Sequence, residues 1–295
     1  MSLENLTQSV SYIPGAVNIG VIHNGKDALI IDSGLDKDSG RQIKKALESA
    51  DLKLKAIINT HSHADHFGGN DYLVRNLGPL VYAPTLESSI IQTPLLEPIY
   101  LFHGAYPIKE LRNKFVYAKP SPVNSTLDAG LSKISDIKIE IVSLKGHSFN
   151  QIGILKDGIM FCADTAFSDK VIDKYRIPVL QDVKSQIETL NILRNTKYNL
   201  YVPSHAKPTE DITNLLEINM KNIKELSLYI LDLLEEPLTI DQIESGLFKK
   251  YELNLEAVQQ YYLIHTTIMA YLSYLYETKK IKLELKNNKP TWKTT

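Results

Sequence analysis

Short apolar runs rich in β-branched residues recur along roughly the first 200 positions, at 17–22, 28–31, 56–58, 80–83, 137–142, 159–161 and 200–202. Runs of this kind predict strands. Between some of them the apolar spacing lengthens to about 3.6. Ile43 and Leu47 within 39–49, the segment 71–76, and Ile187, Leu190 and Leu193 within 185–195 predict helices with one apolar face. Strands interleaved with helices predict a mixed α/β layered domain. The pattern changes after about Thr209. Leu215, Ile218, Ile223, Leu226, Ile230 and Leu234 mark a long helix over 214–235, stopped by Pro237. Thr239 is placed to cap a short helix reaching about Lys250, and a second long helix is predicted over 255–278. Alternating Ile281, Leu283 and Leu285, then Asn287 and Asn288 before a returning 290–293, predict a small hairpin. Helix, helix, helix and hairpin is the order of a winged helix. The sequence therefore divides into one domain over 1–211 and a smaller helical, winged-helix-like domain over 212–295. Inside the first, residues 84–124 carry six prolines among aromatic residues and are expected to form an irregular covering insertion.

Composition narrows the class. At 43% hydrophobic and 23% charged residues the chain can bury a sizeable core, which excludes disorder, collagen and coiled coil. A formal charge of −1 gives no general attraction for a polyanion, so a nucleic-acid partner would need a local basic patch. No apolar run is long enough to span a bilayer, and the first residues lack the basic-then-apolar plan of a secretory leader. The expected location is the cytoplasm. A single cysteine, Cys162, leaves no internal disulfide and no thiolate-cluster metal site, so any metal must rest on His, Asp or Glu. Cys162 itself, in an apolar run, reads as a small core residue.

Three of the eight histidines, His61, His63 and His66, fall within six residues directly after the run at 56–58, with Asp65 among them. In extended chain, residues i and i+2 point the same way, so His61 and His63 can grip one cation. Asp65 and His66 can face a second only if the chain turns, and Gly68 and Gly69 are expected to allow that turn. Imidazole with carboxylate suits zinc, and also iron or manganese. His147, Asp164 and His205 each follow a strand-like run, so parallel geometry would bring them to one sheet edge. Singly, each has a bland structural explanation; as a set following the histidine cluster they do not.

Taken together, these segments resemble the metallo-β-lactamase superfamily: Asp32 in DSG, THSHADH at 60–66 followed by FGG, GHS at 146–148, ADT at 163–165 and PSH at 203–205, in that order. The resemblance covers roughly the first 210 residues. It implies an α/β (α+β) fold, an αββα sandwich with a dinuclear metal site at one edge. Carried over residue by residue, it implies His61, His63 and His147 around a first ion, Asp65, His66 and His205 around a second, and Asp164 bridging them. Asp32 would orient ligands from behind. The cofactor implied is two divalent metal ions per chain, zinc first, with iron or manganese as alternatives. Family members commonly show Pro and Gly after the GHS step, whereas this chain has Phe149 and Asn150. Asn tolerates positive φ and is expected to keep the loop's shape, with Phe149 as a pocket wall.

The implied activity is hydrolysis by a metal-activated hydroxide, with a bound water acidified toward neutrality and the substrate oxygen polarised. Asp65 is placed to pass a proton to the leaving group. Secreted antibiotic-degrading members require export, and several have cysteine where this chain has Asp164. RNA-processing members usually carry a large domain between the bridging Asp and the final His, and the interval from Asp164 to His205 is short. A small-molecule ester, thioester, lactone or phosphodiester is therefore the expected substrate. Two alternatives stay open: a metal-dependent endoribonuclease, which the winged C-terminal domain also resembles, and a persulfide-oxidising type with one iron. Against the nuclease, the helix at 255–278 holds Glu256 and Glu277 but no Lys or Arg ahead of Lys279, where a recognition helix needs cations. Its apolar and aromatic residues fit ordinary core, or a homodimer surface. His23, His103 and His265 have no evident partner; His103, in the insertion, is the one that could approach a site.

Overall fold

The computed structural model describes residues 2–295. Seven strands form the first sheet in chain order: β1 (Glu4–Asn5), β2 (Val10–Ile13), β3 (Ile19–Asn24), β4 (Asp27–Ile31), β5 (Lys53–Ile58), β6 (Leu80–Pro84) and β7 (Ser125–Leu127). Pairing is antiparallel from β1 to β4 and parallel from β4 to β7. The second sheet contains β8 (Gly130–Ile134), β9 (Ile137–Ser143), β10 (Ile152–Lys156), β11 (Ile159–Ala163) and β12 (Leu200–Pro203), in the order β12-β11-β10-β9-β8. β9 and β11 both run antiparallel to β10, and β12 runs parallel to β11, so β9, β11 and β12 end at the same edge.

The sheets face each other through one buried cluster in which Ile22, Leu29, Ile31 and Ile58 meet Ile139, Ile141, Ile154, Phe161 and Val202. Alternation along the strands then requires a cover on each outer face. Over the first sheet lie α1 (Lys37–Ser49), capped by Asp36, and α3 (Asn70–Leu77), which follows the one-turn α2 (Ala64–Phe67). Ile43, Leu47 and Leu73 pack there on Val21, Ile30, Ile57 and Val81. Over the second sheet, Met160, Cys162 and Tyr201 share a cluster with Leu190 and Leu193 of α7 (Val183–Asn195), a helix preceded by the short α6 (Asp169–Tyr175). The layering is the αββα sandwich expected from the sequence.

The insertion over 84–124 is more regular than predicted. It contains α4 (Thr85–Gln92), α5 (Leu96–Leu101) and a 3-10 turn at Lys109–Leu111. Pro84 sits at the N-cap of α4 and Pro98 in the first turn of α5. At those positions the missing N–H has no intrahelical partner to lose, so the prolines start helices instead of breaking them.

The C-terminal elements follow the predicted order: α8 (Thr213–Leu233), α9 (Ile240–Lys250), α10 (Val258–Glu277) and a hairpin of β13 (Ile281–Lys286) and β14 (Lys289–Thr294). Thr239 caps α9 in a capping box with Gln242, whose Oε1 accepts from the Thr239 amide at 2.9 Å. Asn287 and Asn288, with φ of 50° and 62°, make the hairpin turn. Leu226 and Ile230 of α8 and Ile268, Tyr271 and Leu272 of α10 join the same cluster as Met160 and Leu190. The apolar face of α10 is thus largely core, while Met269 and Tyr276 remain exposed. Among the described residues no helix is long and apolar enough to cross a membrane.

Candidate metal centre

β5 delivers its chain to the sandwich edge fully buried, so Asn59, Thr60, His61 and Ser62 follow Ile58 with almost no solvent contact. His63 is extended (φ −67°, ψ 143°) and starts α2, which turns Asp65 and His66 away from the direction shared by His61 and His63. The turn does not come from unusual glycine dihedrals: φ is −61° at Gly68 and −79° at Gly69, both helical. Glycine is needed there for close approach instead. A Cβ on Gly68 would lie 1.9 Å from the Leu35 carbonyl oxygen, and one on Gly69 2.2 Å from that of Ser33. The helical turn carrying two of the polar groups is pressed against the Asp32–Leu35 loop.

From the second sheet come His147 after β9, Asp164 after β11 and His205 after β12, all at the predicted edge. The seven side chains meet. Three sets have donor atoms within 4.8 Å of one another: His61, His63 and His147; His61, His66 and Asp164; and Asp65, His66 and His205. Asp164 lies between them, with Oδ1 3.3 Å from His66 Nε2 and Oδ2 3.5 Å from His147 Nε2 and 3.1 Å from His205 Nε2. Asp65 Oδ2 is 3.5 Å from His205 Nε2.

Four of the five rings are held from outside, His63 being the exception. His147 Nδ1 donates to the Val179 carbonyl and His205 Nδ1 to the Ala16 carbonyl, both at 2.8 Å. His66 Nδ1 donates to Asp32 Oδ2 at 2.7 Å. Asp32 also accepts from the Thr60 amide and hydroxyl at 2.8 Å, and that hydroxyl lies 3.0 Å from His61 Nδ1. With Thr60 donating to Asp32, His61 Nδ1 donates to Thr60, so His61, His66, His147 and His205 all turn Nε2 inward. Asp32 does not face the cavity. Its φ of 65° also makes it a turn residue of the DSG segment.

The interior is short of partners. Nε2 of His61, His63 and His66 and Oδ1 of Asp164 are buried without a hydrogen bond, each at a cost of roughly 1–3 kcal/mol. His147 Nε2 and His63 Nδ1 face each other at 2.8 Å, which needs a proton or a cation between them. Burial holds both rings down at about 4, and burial with the neighbouring imidazoles holds His61 well below its ordinary range, so this set presents neutral donors. Desolvation opposes protonation of His66 and His205 too, yet Asp164 with Asp32 and Asp65 raises the first well above its ordinary range, and Asp164 with Asp65 raises the second to about 10. Those carboxylates demand positive charge. Neutral imidazoles beside carboxylates, without thiolate, form a donor set that fits divalent zinc, iron or manganese.

Several contributors carry no sequence signal. Glu87 of α4, 1% exposed, accepts from the loops of both His61 and His147. Phe167 packs edge-on to His147 at 5.6 Å and beside His205 at 6.2 Å. Asn150 does not take positive φ; its amide donates to Glu87 and its Oδ1 accepts from the Leu86 amide. Phe149 is exposed and lines a cavity of about 470 Å³ with Gln181, Lys184 and Tyr274. His103 lies elsewhere, stacked edge-on at 4.6 Å on His265 of α10, whose Nδ1 donates to Glu244. Cys162 is fully buried, and burial pushes its thiol up to about 12, so it is core and not a nucleophile.

Comparison with known proteins adds a family. The family model described as "Metallo-beta-lactamase superfamily" matches residues 12–205. Hydroxyacylglutathione hydrolase of Vibrio cholerae is 27% identical over 143 residues, covering 48% of this chain and 44% of that protein. The protein of the same name in Aeromonas hydrophila is 28% identical over 152 residues, covering 51% and 46%. The match thus spans less than half the length of these curated relatives. Among solved structures, a metallo-beta-lactamase family protein from Thermus thermophilus superposes with a TM-score of 0.74 at 18% identity, covering 99% of this chain and 100% of that one. A beta-lactamase domain protein from Burkholderia ambifaria gives 0.73 at 16% identity, covering 99% and 93%. These two share the fold through the C-terminal helices as well.

Proposed function

Because the chain belongs to the metallo-beta-lactamase superfamily, we propose that it is a dinuclear metal-dependent hydrolase acting on a small acyl thioester. The observation that carries the reading is Asp164, a buried carboxylate with one oxygen toward His66 and the other toward His147 and His205. In this reading His61, His63 and His147 would hold one ion and Asp65, His66 and His205 the other, with the Asp164 carboxylate within reach of both sets. When bound there, two divalent cations, zinc by preference, would supply acidification of a water and polarisation of the substrate carbonyl.

The chain's own residues do the rest. The Val179 and Ala16 carbonyls, Thr60 and Asp32 fix which nitrogen His147, His205, His61 and His66 present, so no proton has to move within those rings for ligation. Phe167 shields the His147 and His205 side from water. Asp65, half-buried beside His205, is held down at about 2 because His66 and His205 outweigh its burial, so it stays ionised and can orient the attacking water by accepting a hydrogen bond from it. In thioester hydrolysis the attacking oxygen bonds to the acyl carbon, the C–S bond breaks, and the sulfur leaves as a thiolate. A thiol with pKa of about 8.5 needs little acid assistance. The thioester is preferred over lactone and phosphodiester because proteins named hydroxyacylglutathione hydrolase match about half of this chain.

The test is zinc-loaded protein assayed on hydroxyacyl thioesters, lactones, phosphodiesters and single-stranded RNA, before and after chelation. Thioester turnover that chelation abolishes and zinc restores is expected. Protein that takes up two ions but turns over only RNA or phosphodiester overturns the substrate class, and protein that takes up no metal overturns the whole reading.

A further inference from the structure

Ser62 stands between His61 and His63 in the chain, and Ser148 directly follows His147. One carboxylate joins them. Glu87 Oε2 accepts from the Ser62 amide at 3.0 Å and the Ser62 hydroxyl at 2.6 Å, while Oε1 accepts from the Ser148 hydroxyl at 2.5 Å and the Asn150 amide at 2.9 Å. The two loops belong to different sheets, one leaving β5 and the other leaving β9. Glu87 belongs to neither; it comes from α4, the first helix of the insertion.

We infer that Glu87 is the positioning residue of the His61, His63 and His147 set, holding the two halves of that set at ligating distance across the open edge of the sandwich. The inference rests on the metal reading above. Its geometry parallels Asp32, which ties His66 directly, and His61 through Thr60, by the same kind of buried carboxylate. The division of labour differs: Asp32 grips rings, whereas Glu87 grips the backbone and hydroxyls beside them. Four donors on one buried carboxylate leave it no freedom to shift; residue 150 supplies one of the four through its backbone amide, and its Asn side chain adds a bond from the Leu86 amide. The insertion thereby acts on the metal site through α4.

The consequence is selective. In Glu87→Gln the amide nitrogen must face a donor pair, so one loop is released while shape and volume are kept. Zinc affinity at the His61, His63 and His147 set should fall by about 10- to 100-fold, and that at the Asp65, His66 and His205 set should change by less than about threefold. Zinc titrations of the full chain, followed through the imidazole ¹⁵N resonances of each histidine, read the two sets separately and need no substrate. Ser62→Ala/Ser148→Ala, which keeps the carboxylate and its two amide donors, should show a smaller loss at the same set and serves if Glu87→Gln does not fold. Equal affinities at both sets in the folded variants, with only a lower Tm, would assign Glu87 a merely structural role and overturn the inference. Wild-type protein that binds no zinc would instead overturn the metal reading and this inference with it.

Discussion

Asp32 Oδ2 and His66 Nδ1 lie 2.7 Å apart in a site where neither side chain meets solvent. The same oxygen takes the Thr60 hydroxyl, which relays to His61, so a single carboxylate sets the presented nitrogen on two rings. Asp32→Asn keeps the shape but puts an amide where a charge-assisted acceptor stood. Zinc affinity should fall by about 10- to 100-fold, as when partners behind metal-binding histidines are removed. Competition with a chromophoric chelator measures it; an unchanged affinity would show that Asp32 serves only the turn.

Asp164 should be the least replaceable group. Asp164→Ala removes the carboxylate that His66, His147 and His205 approach at 3.1 to 3.5 Å, and leaves those imidazoles facing one another. Bound zinc should drop below one ion per chain by elemental analysis and activity should vanish. His103→Ala is the control: its ring meets His265 and Tyr262, so zinc content should stay at the wild-type level while Tm falls modestly.

Gly68→Ala tests why the FGG segment is glycine. The added methyl would meet backbone, the Leu35 carbonyl oxygen at 1.9 Å, which no rotamer change relieves. A loss of about 1–3 kcal/mol or more is expected from urea denaturation, together with weaker metal uptake at the Asp65 and His66 side. A substitution tolerated without cost would mean that the DSG loop can retreat.

Much of the sandwich was legible because its strands are short apolar runs separated by helices with a clear apolar face. The seven polar groups stood out because each follows such a run, and strand direction carries them to one edge. β1, β2, β7, β8 and β10 were not predicted: β1 and β7 are only two and three residues long, Val10–Ile13 contains Ser11, Gly130–Ile134 contains Ser132 and Lys133, and Ile152–Lys156 contains Gly153, so none reads as a continuous apolar run. The insertion was misjudged because a proline's effect depends on where it falls in a helix, and sequence alone does not say that Pro84 and Pro98 lie at starts. The glycine pair was assigned to turning when it serves approach, since the Leu35 and Ser33 carbonyls that crowd it are distant in sequence. Glu87 was invisible for the same reason: its four donors come from two loops that only folding brings together.

A buried acid at the insertion's second helix gives a pH signature. Glu97 is 3% exposed, and burial, with the charges of Asp65 and Glu87 adding, pushes its carboxyl well above the ordinary 4.5, while a hydrogen bond from Tyr100 pulls the other way. The folded state therefore retains a proton that the unfolded chain releases above about pH 4.5. Where the native state binds more protons, stability falls as pH rises, by up to about 1.4 kcal/mol per pH unit for one group. Gln at this position has nothing to titrate. Glu97→Gln should match or fall below wild type at pH 4 and gain on it as pH rises from about 4.5 toward the raised native value, read as the difference in urea unfolding free energy at each pH. Parallel curves across that range would mean that Glu97 is ionised in the fold, with Tyr100 and its partner Gln181, whose Nε2 donates to the Tyr100 hydroxyl at 3.1 Å, outweighing its burial.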